Sequence, residues 1–342
     1  MDNPGLTTGG VPTLCIMGDG AQVRKRDRTL LVMRRDQVVA EVPVFQVKRI
    51  FAFGAVSFTQ QALTVILENG IDVSLFSRGR RLQGKIVGME SKNVYMRLAQ
   101  YERWRDTESR TNLARDILRG KLGNQRTLLR RFHRRQGGTV FDQAAESVDS
   151  VLARLDEAKD GVTLMGLEGT ASATYFSAYK TLFSEEMGFD QRRRRPPPDP
   201  VNALLSLGYT MLTNEAASVI EGLALDPYIG FLHGIKYGRK SLALDLIEEF
   251  RHPVVDVLTT NLCTRGILTA ADFQVDAQVG CRLTEAALKR YFESYQDFMT
   301  RSSKTRGNDD GEACYQALIL GQAQRFMAAV MSGGSYQPFR VR

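Results

Sequence analysis

The 342-residue sequence lacks the residue patterns of several common protein classes. Its four cysteines, Cys15, Cys263, Cys281 and Cys314, are scattered and form no CxxC pair. This excludes a disulfide framework and a cysteine-rich zinc site, and it predicts reduced thiols. No GxxxxGK[ST] or GxGxxG motif opens a helix, so the binding of nucleoside triphosphates or dinucleotides has no support. No GxSxG motif is present either, which removes one common kind of serine nucleophile.

Long apolar runs are also absent. No segment is long and apolar enough to span a bilayer, and the opening MDNPGLTTGGVPTL has neither the basic nor the apolar stretch of a signal peptide. Together these absences predict a soluble, cytoplasmic protein. The charge is unbalanced instead, with a net charge of +8 and a pI of about 9.4. Such a surplus favours a polyanionic partner such as nucleic acid, although an uninvolved basic surface would have the same composition.

The hydrophobic pattern changes near residue 90. Before it, short apolar runs between turn signals predict a mostly antiparallel β domain with a short helix at Thr59–Leu67. The predicted strands are Thr13–Met17, Thr29–Met33, Gln37–Val42, Arg49–Phe53 and Asp72–Phe76. After it, helical periodicity prevails. Helices are predicted near residues 94–119, 124–136, 142–158, 162–186, 200–223, 240–261, 284–300 and 311–331. We therefore predict an α+β protein with a small N-terminal β-rich domain (1–90) and a larger all-α domain (91–342).

Two segments are unusually basic. Eleven lysines and arginines lie between Arg103 and Arg135, with few acids among them. This density predicts a DNA-binding face, with a merely solvated face as the alternative. The segment Gln191–Pro200 contains four consecutive arginines followed by prolines, which cannot continue a helix. It is predicted to be an exposed loop that either contacts phosphate or serves as a solvated linker.

A helix and a histidine form the first candidate site. Residues Lys240–Arg251 predict an amphipathic helix that places Asp245, Glu248 and Glu249 together, opposite its apolar stripe. His233 precedes Glu248 by 15 residues, so it can fold back onto this helix. One imidazole with one or two carboxylates suits Mg²⁺ or Mn²⁺. The spacing alone is a weak signal, because acidic helix faces are common and a lone histidine is more often a hydrogen-bonded core residue.

A further acid lies in an unusual setting. Glu168 is surrounded by the small residues of MGLEGTASA, which would let another helix or a ligand come close to its carboxylate. Burying this carboxylate unpaired would be costly, and a metal or a cationic partner would remove that cost. The alternative is tight helix packing with Glu168 facing water.

These stretches together resemble the CRISPR-associated integrase family that catalyses spacer acquisition, the "Cas-one" family. The matching segments are GLEGTASATYF around Glu168, DPVNALLSLGYTML at 199–212 and ALDPYIGFLHGIKYGRKSLALDLIEEFRHPVVD at 223–255. IFAFGAVSFTQQAL, GIDVSLFSRGRRLQGKIVG and DILRGKLGNQRTLL are similar to the family as well, so the resemblance covers nearly the whole chain. The chain length and the ending SYQPFRVR resemble the subtype I-C branch.

The resemblance implies a metal site with named residues. Members of the family bind a divalent metal through a Glu–His–acid set that falls here on Glu168, His233 and Glu248. These three are therefore the predicted catalytic residues and the predicted ligands of Mg²⁺ or Mn²⁺. Some members have aspartate at the last position. Asp245 matches a second acid that supports the site, whereas Glu249 has no role in the family's pattern.

The resemblance also implies a reaction and partners. The expected activity is a DNA integrase that joins 3′-OH ends of protospacer DNA to the CRISPR repeat by transesterification, with associated endonuclease activity. The expected partners are double-stranded DNA, a second copy bound through the β domains, and a small ferredoxin-like protein, the "Cas-two" protein. Lys121, Arg126, Arg239 and Lys240 are the predicted phosphate contacts.

Two other functions remain open at this point. One is a metal-dependent nuclease of branched DNA that integrates nothing. The other is a non-catalytic DNA-binding scaffold with a structural acidic site, against which the intact set of Glu168, His233 and Glu248 argues.

Overall fold

The computed structural model describes residues 13–17, 20–77, 82–88, 93–193, 196–276, 278–301, 303–304 and 312–341. Contacts within the chain divide it into two units, residues 1–90 with 285–297 and residues 91–284 with 298–342. The predicted order of a β-rich part followed by a larger helical part is confirmed. Arg194 and Arg195 of the predicted proline-rich loop lie outside the described residues.

Short strands and one helix make up the N-terminal part of the first unit. Its elements are β1 (Thr13–Met17), β2 (Ala21–Arg26), β3 (Thr29–Arg34), β4 (Gln37–Pro43), β5 (Arg49–Phe53), β6 (Val56–Phe58), α1 (Gln60–Glu68), β7 (Asp72–Phe76) and β8 (Leu82–Ile86). One sheet has the strand order β1, β5, β7, β8, and the other has the order β4, β3, β2, β6. The sequence missed β2, β6 and β8.

The prediction of a mostly antiparallel domain is wrong. Parallel pairing joins β1 to β5, β5 to β7 and β2 to β6, whereas β2 with β3, β3 with β4 and β7 with β8 are antiparallel. Parallel neighbours need a crossover connection, and α1 lies in the one between β5 and β7. Apolar runs reveal that strands exist but carry no information about which strand pairs with which.

Both sheets and α1 contribute to one hydrophobic core. Val23, Leu30, Ile50 and Val73 are fully buried in it, and Ile66 joins them from α1. Alternate strand residues point to the same face, so each sheet can direct its aliphatic side chains inward. Burial of each such side chain contributes about 1.5–3 kcal/mol before the entropy of ordering the chain is subtracted.

One helix belongs to a different unit from the one expected. Residues 285–297, most of α9 (Glu285–Thr300), lie in the first unit, although the sequence placed them in the helical domain. Phe292 of this helix packs on Phe53 with 4.8 Å between ring centroids, and Phe53 stacks on Phe76 at 4.6 Å. Helical periodicity shows that a helix has an apolar face but not which core receives it.

The second unit is mainly helical. Its helices are α2 (Val94–Arg105), α3 (Thr107–Gln136), α4 (Thr139–Ala153), α5 (Gly161–Tyr179), α6 (Pro200–Gly222), α7 (Ser241–Phe250), α8 (Val257–Thr264) and α10 (Tyr315–Ser332). None of the helices in the described residues is long and apolar enough to cross a membrane. The expectation of an all-α domain is corrected by the hairpin of β9 (Phe273–Asp276) and β10 (Gly280–Leu283) and by the two-residue strands β11 (Ser303–Lys304) and β12 (Glu312–Ala313).

The helix α3 is continuous over 30 residues, whereas the sequence predicted a break near residues 120–123. Gly120 and Gly123 lie in this stretch, although glycine costs about 1 kcal/mol in a helix interior. The structure shows why Gly120 is present. A Cβ atom on Gly120 would lie 2.6 Å from Cβ of Pro338 and 3.0 Å from Cγ of Glu249, so only glycine lets these groups come so close.

Pro338 belongs to the C-terminal strap, which we define as residues 334–341 and which has no regular secondary structure. The Asn124 side-chain amide on α3 donates to the carbonyls of Glu249 (2.8 Å) and Phe339 (3.0 Å), and its oxygen accepts from the backbone N–H of Val341 (2.8 Å). The Phe339 ring stacks on Phe250 with 4.8 Å between centroids. The strap therefore joins α3 to the C-terminal end of α7.

Substitution of Gly120 tests this close approach. We expect Gly120→Ala to lower the free energy of unfolding by about 1–3 kcal/mol, the usual cost of overpacking, because neither Pro338 nor Glu249 can move away freely. Gly166→Ala on α5 is the matched control, since a Cβ there meets nothing within 4 Å and alanine should be neutral or stabilising. Urea unfolding followed by circular dichroism measures both. A Gly120→Ala protein as stable as Gly166→Ala would contradict the packing argument.

Candidate active site

The three acids of α7 are all buried, although the amphipathic pattern placed them on a polar face. Asp245, Glu248 and Glu249 are each 1% exposed or less. The three acids do lie apart from the apolar stripe of α7, as the pattern predicted. Neighbouring elements nevertheless cover both faces of the helix, so the acids are buried as well. Because a buried carboxylate needs partners, each acid has its own set.

Asp245 holds the segment that carries His233. Its carboxylate accepts from the backbone N–H groups of Phe231 (2.5 Å), Leu232 (3.0 Å) and His233 (3.0 Å). A fourth bond joins it to Nδ1 of the His233 ring at 2.7 Å. With Nδ1–H donated to this carboxylate, the neutral ring presents the lone pair of Nε2. Asp245 thus fixes both the backbone and the ring orientation of His233.

Glu248 lies at the centre of the cluster. Its Oε1 is 3.6 Å from His233 Nε2 and 3.3 Å from Arg251 Nε, and its Oε2 is 2.8 Å from the ammonium of Lys121. Lys121 also forms an ion pair with Glu168 on α5. Glu168 accepts a further hydrogen bond from Ser172 at 2.8 Å. The predicted residues Glu168, His233 and Glu248 therefore converge, with the Lys121 ammonium between the two glutamates.

The cations around the cluster keep its carboxyl groups ionised. Burial raises the pKa of Glu248, but Arg251, Lys121 and His233 together outweigh it and hold that pKa well below its usual range. Burial and the negative charge of Glu248 raise the pKa of Glu168, and Lys121 outweighs them, so this pKa is lowered too. The cluster therefore places two ionised carboxylates beside the imidazole of His233.

This donor set suits a hard divalent cation. Carboxylate oxygens and an imidazole whose other nitrogen is fixed by a carboxylate are typical ligands and supports of such ions. Within the part of the chain that the structure describes, however, no group of three or more His, Cys, Asp and Glu side chains is arranged to hold a metal ion as it stands. The Lys121 ammonium lies between the carboxylates of Glu168 and Glu248 and pairs with both.

Glu249 faces the opposite way and has a structural role that the sequence did not reveal. It accepts from Tyr336 (2.6 Å), from the backbone N–H of Phe339 (2.5 Å) and from Gln322 (3.1 Å). Burial dominates these bonds and raises the pKa of Glu249 to about 8. Its partners lie on the C-terminal strap and on α10, so Glu249 anchors the strap instead of joining the cluster.

A π-helical turn follows Glu248. Residues 251–256 form it, in a stretch where Pro253 cannot donate a backbone hydrogen bond. The Arg251 guanidinium that contacts Glu248 also lies 5.0 Å over the ring of Tyr209. The predicted structural role of His252 agrees with its burial and with its 2.7 Å bond from Nδ1 to Asp256. The turn therefore places Arg251 against the cluster and His252 in the core.

The four predicted phosphate contacts all have partners within the chain. Lys121 is buried in the cluster, and Arg126 pairs with Asp149 at 2.8 Å. Arg239 donates to the carbonyls of His233 and Gly234, and Lys240 pairs with Glu221. Their predicted contact with DNA stays a prediction.

Many basic residues between Arg103 and Arg135 form hydrogen bonds or ion pairs with other residues of the chain. Arg115 donates to the carbonyls of Leu155 and Ala158, Arg119 pairs with Asp116 and Asp156, and Arg130 shares Asp149 with Arg126. Arg105, Arg130, Arg134 and Arg135 are the exposed members. Counting charges along the sequence overestimated the free basic surface, because the neutralising acids come from α4 and from the turn after it.

Comparison with known proteins identifies the family. The family model described as "CRISPR associated protein Cas1" matches residues 14–297. The chain belongs to the Cas1 family. It is 31% identical over 339 residues to "CRISPR-associated endonuclease Cas1 3" of Thermus thermophilus, with 98% of both chains covered. It is 36% identical to a Cas4/Cas1 fusion of Geobacter sulfurreducens over 84% of this chain, and it spans 52% of that relative's length.

Solved structures show the same Cas1 fold. A Cas1 protein from Thermotoga maritima matches with a TM-score of 0.81 and 25% identity, covering 96% of this chain and 99% of that one. A casposase bound to an integration product matches with a TM-score of 0.80 at 20% identity, covering 95% and 93%, which shows a shared fold alone. The resemblance to the "Cas-one" family is thereby confirmed, and the subtype I-C assignment stays a prediction.

Sequence reasoning did not place Lys121 or Arg251 in the cluster. Lys121 was predicted to contact DNA phosphate, but it lies between Glu168 and Glu248. Arg251 was not singled out, although it follows Glu248 by three residues on the same helical face and contacts it. Helical spacing could have indicated Arg251, whereas the position of Lys121 depends on how α3 packs against α5 and α7.

Substitution of Asp245 tests its hold on the histidine. We expect Asp245→Asn to lower the free energy of unfolding by about 1–3 kcal/mol, because an amide –NH₂ would face N–H donors that now bond to a carboxylate. Hydrogen exchange of the Phe231, Leu232 and His233 amides should speed up. Asp149→Asn, which loses only the surface pairs to Arg126 and Arg130, is the control and should change neither quantity much. Unchanged exchange in Asp245→Asn would disprove the assignment.

Proposed function

We propose that this Cas1-family protein is a divalent-metal-dependent DNA endonuclease and integrase that acts in the cytoplasm. It joins the 3′-OH ends of protospacer DNA to the CRISPR repeat by transesterification. The observation that carries the proposal is the convergence of Glu168, Glu248 and His233 Nε2 in one buried cluster. The curated relatives named as Cas1 endonucleases support the nuclease part.

Glu168, His233 and Glu248 would hold Mg²⁺ or Mn²⁺. A bound divalent ion would supply the positive charge that stabilises the attacking and leaving oxygens of phosphodiester chemistry. Two neighbouring carboxylates with little access to water need a cation beside them, and the Lys121 ammonium already pairs with both. The ammonium and the ion would compete for the same carboxylates.

The residues of the chain would orient the reaction. Asp245 keeps His233 in one tautomer and one position, and Arg251 keeps Glu248 ionised. In the proposed reaction the oxygen of a DNA 3′-OH forms a bond to phosphorus, and the P–O3′ bond of the repeat strand breaks. The proton of the attacking hydroxyl is lost and the departing oxygen becomes a new 3′-OH. Water in place of the attacking 3′-OH would give cleavage at the same site.

Partners form part of the proposal. A homodimer through the β-rich units and a small ferredoxin-like Cas2-type protein are expected from the family. One fold neighbour, matched with a TM-score of 0.80 and 24% identity, is named as a Cas6-RT-Cas1–Cas2 complex. The alternative is a metal-dependent nuclease of branched DNA that needs neither the Cas2-type partner nor a repeat.

Two neighbouring glutamates allow a matched test of the metal site. We expect Glu248→Gln to weaken Mn²⁺ binding, measured by isothermal titration calorimetry, by at least about tenfold because a carboxylate ligand is lost. Glu249→Gln should bind Mn²⁺ like the wild type, because this side chain faces the C-terminal strap. Circular dichroism confirms that both variants are folded. Equal weakening in both variants, or in neither, would refute the assignment of Glu248.

Strand transfer tests the reaction itself. The protein, with and without a Cas2-type partner, is mixed with a duplex bearing 3′-OH ends and a supercoiled repeat plasmid in Mg²⁺ or Mn²⁺. We expect covalent joining by the wild type and by His133→Ala, and its loss in His233→Ala, since only His233 lies in the cluster. Cleavage without joining would favour the branched-DNA nuclease. Joining that survives His233→Ala would mean that the active site lies elsewhere.

A further inference from the structure

The active-site loop, which we define as residues 234–240, carries a large aromatic side chain in water. Tyr237 is fully exposed, with a relative accessibility of 103%, and its neighbour Ile235 is 52% exposed. The loop follows directly after His233. We propose that Tyr237 stacks on an unpaired nucleobase of the DNA strand whose backbone reaches the cluster. This inference rests on the proposed function, because it takes DNA as the substrate.

The backbone presents Tyr237 at the tip of a turn. The N–H of Arg239 donates to the carbonyl of Lys236 at 3.0 Å, which closes a four-residue turn. Tyr237 occupies its second position. Gly238 occupies the third with φ of +70°, the conformation that type II turns require and that glycine adopts without strain. The ring is therefore held away from the body of the loop.

The base of the loop is fixed to the candidate active site. The Arg239 guanidinium donates to the carbonyls of His233 and Gly234, and its Nε donates to Ser241 at 3.1 Å. Lys240 pairs with Glu221 and lies 5.8 Å over the Tyr228 ring. A loop fastened at both ends loses little conformational freedom when a ligand binds to its tip.

The chemistry of the loop favours DNA as the occupant. Lys236 is exposed beside Tyr237, and Arg239 keeps its positive charge while bonded to carbonyls, whereas Lys240 is paired with Glu221. The loop itself contains no acid, so its tip suits a polyanion. An aromatic ring beside basic groups is the usual platform of proteins that bind single strands, because every base has a face on which a ring can stack. A base inside a duplex has no free face, so the proposed contact is with an unpaired base near a 3′ end.

A binding experiment without catalysis tests the proposal. The probe is a duplex with single-stranded 3′ ends that contain 2-aminopurine, titrated with protein in EDTA so that no reaction occurs. We expect the wild type and Tyr237→Phe to quench the fluorescence on binding, because both keep a ring. Tyr237→Ala should lose the quenching and bind between about fivefold and a hundredfold more weakly, the usual range for one base–aromatic stack. Tyr95→Ala, which removes another exposed tyrosine, on α2, is the control.

Each other outcome counts against the proposal. No quenching by the wild type, or equal quenching and affinity in Tyr237→Ala, would overturn it. Equal weakening by Tyr95→Ala, or the same loss on a blunt duplex, would show that the effect is not stacking on an unpaired base. A change of self-association without a change of DNA affinity, measured by sedimentation, would assign Tyr237 to a protein contact instead. Because no metal is present, the result is independent of whether the protein joins or cleaves DNA.

Discussion

A buried carboxylate that must stay ionised governs the helical unit. Glu248 is 1% exposed, and a carboxylate so placed is unstable unless positive charge surrounds it. Lys121 comes from α3, His233 from the loop before α7, and Arg251 from the π-helical turn after it. Four separate segments meet because one charge needs compensation, and Glu168 enters the same network through Lys121.

Three acids within five residues of one helix have three different tasks. Asp245 holds the backbone and the ring of His233, Glu248 forms the centre of the cluster, and Glu249 anchors the C-terminal strap. The division follows from the direction of each side chain, because consecutive residues of a helix point about 100° apart. Burial raises the pKa of both glutamates. Arg251, Lys121 and His233 outweigh it at Glu248, whereas burial prevails at Glu249 and raises that pKa to about 8.

The three residues named as the candidate site lie near one another in the structure, whereas parts of the fold around them differ from the prediction. Glu168, His233 and Glu248 were named from a resemblance whose motifs surround them, and the structure brings them together. Lys121 was predicted from its charge to contact DNA phosphate, and its position between Glu168 and Glu248 was not foreseen. The same reasoning overestimated the free basic surface of α3, since Asp149 and Asp156 lie far away in the sequence and neutralise it only after folding.

The sequence by itself determined the change from strands to helices near residue 90 and the amphipathic helix of α7. These features depend on local spacing, which a single chain displays directly. Only the tertiary structure decided the parallel strand pairs, the unit that receives residues 285–297, the place of Lys121 between two glutamates and the anchoring of the strap by Glu249. Each of these features brings together segments that are distant in sequence. They are stabilised by burial of apolar groups and by pairing of opposite charges, and neither can be predicted from the pattern of neighbouring residues.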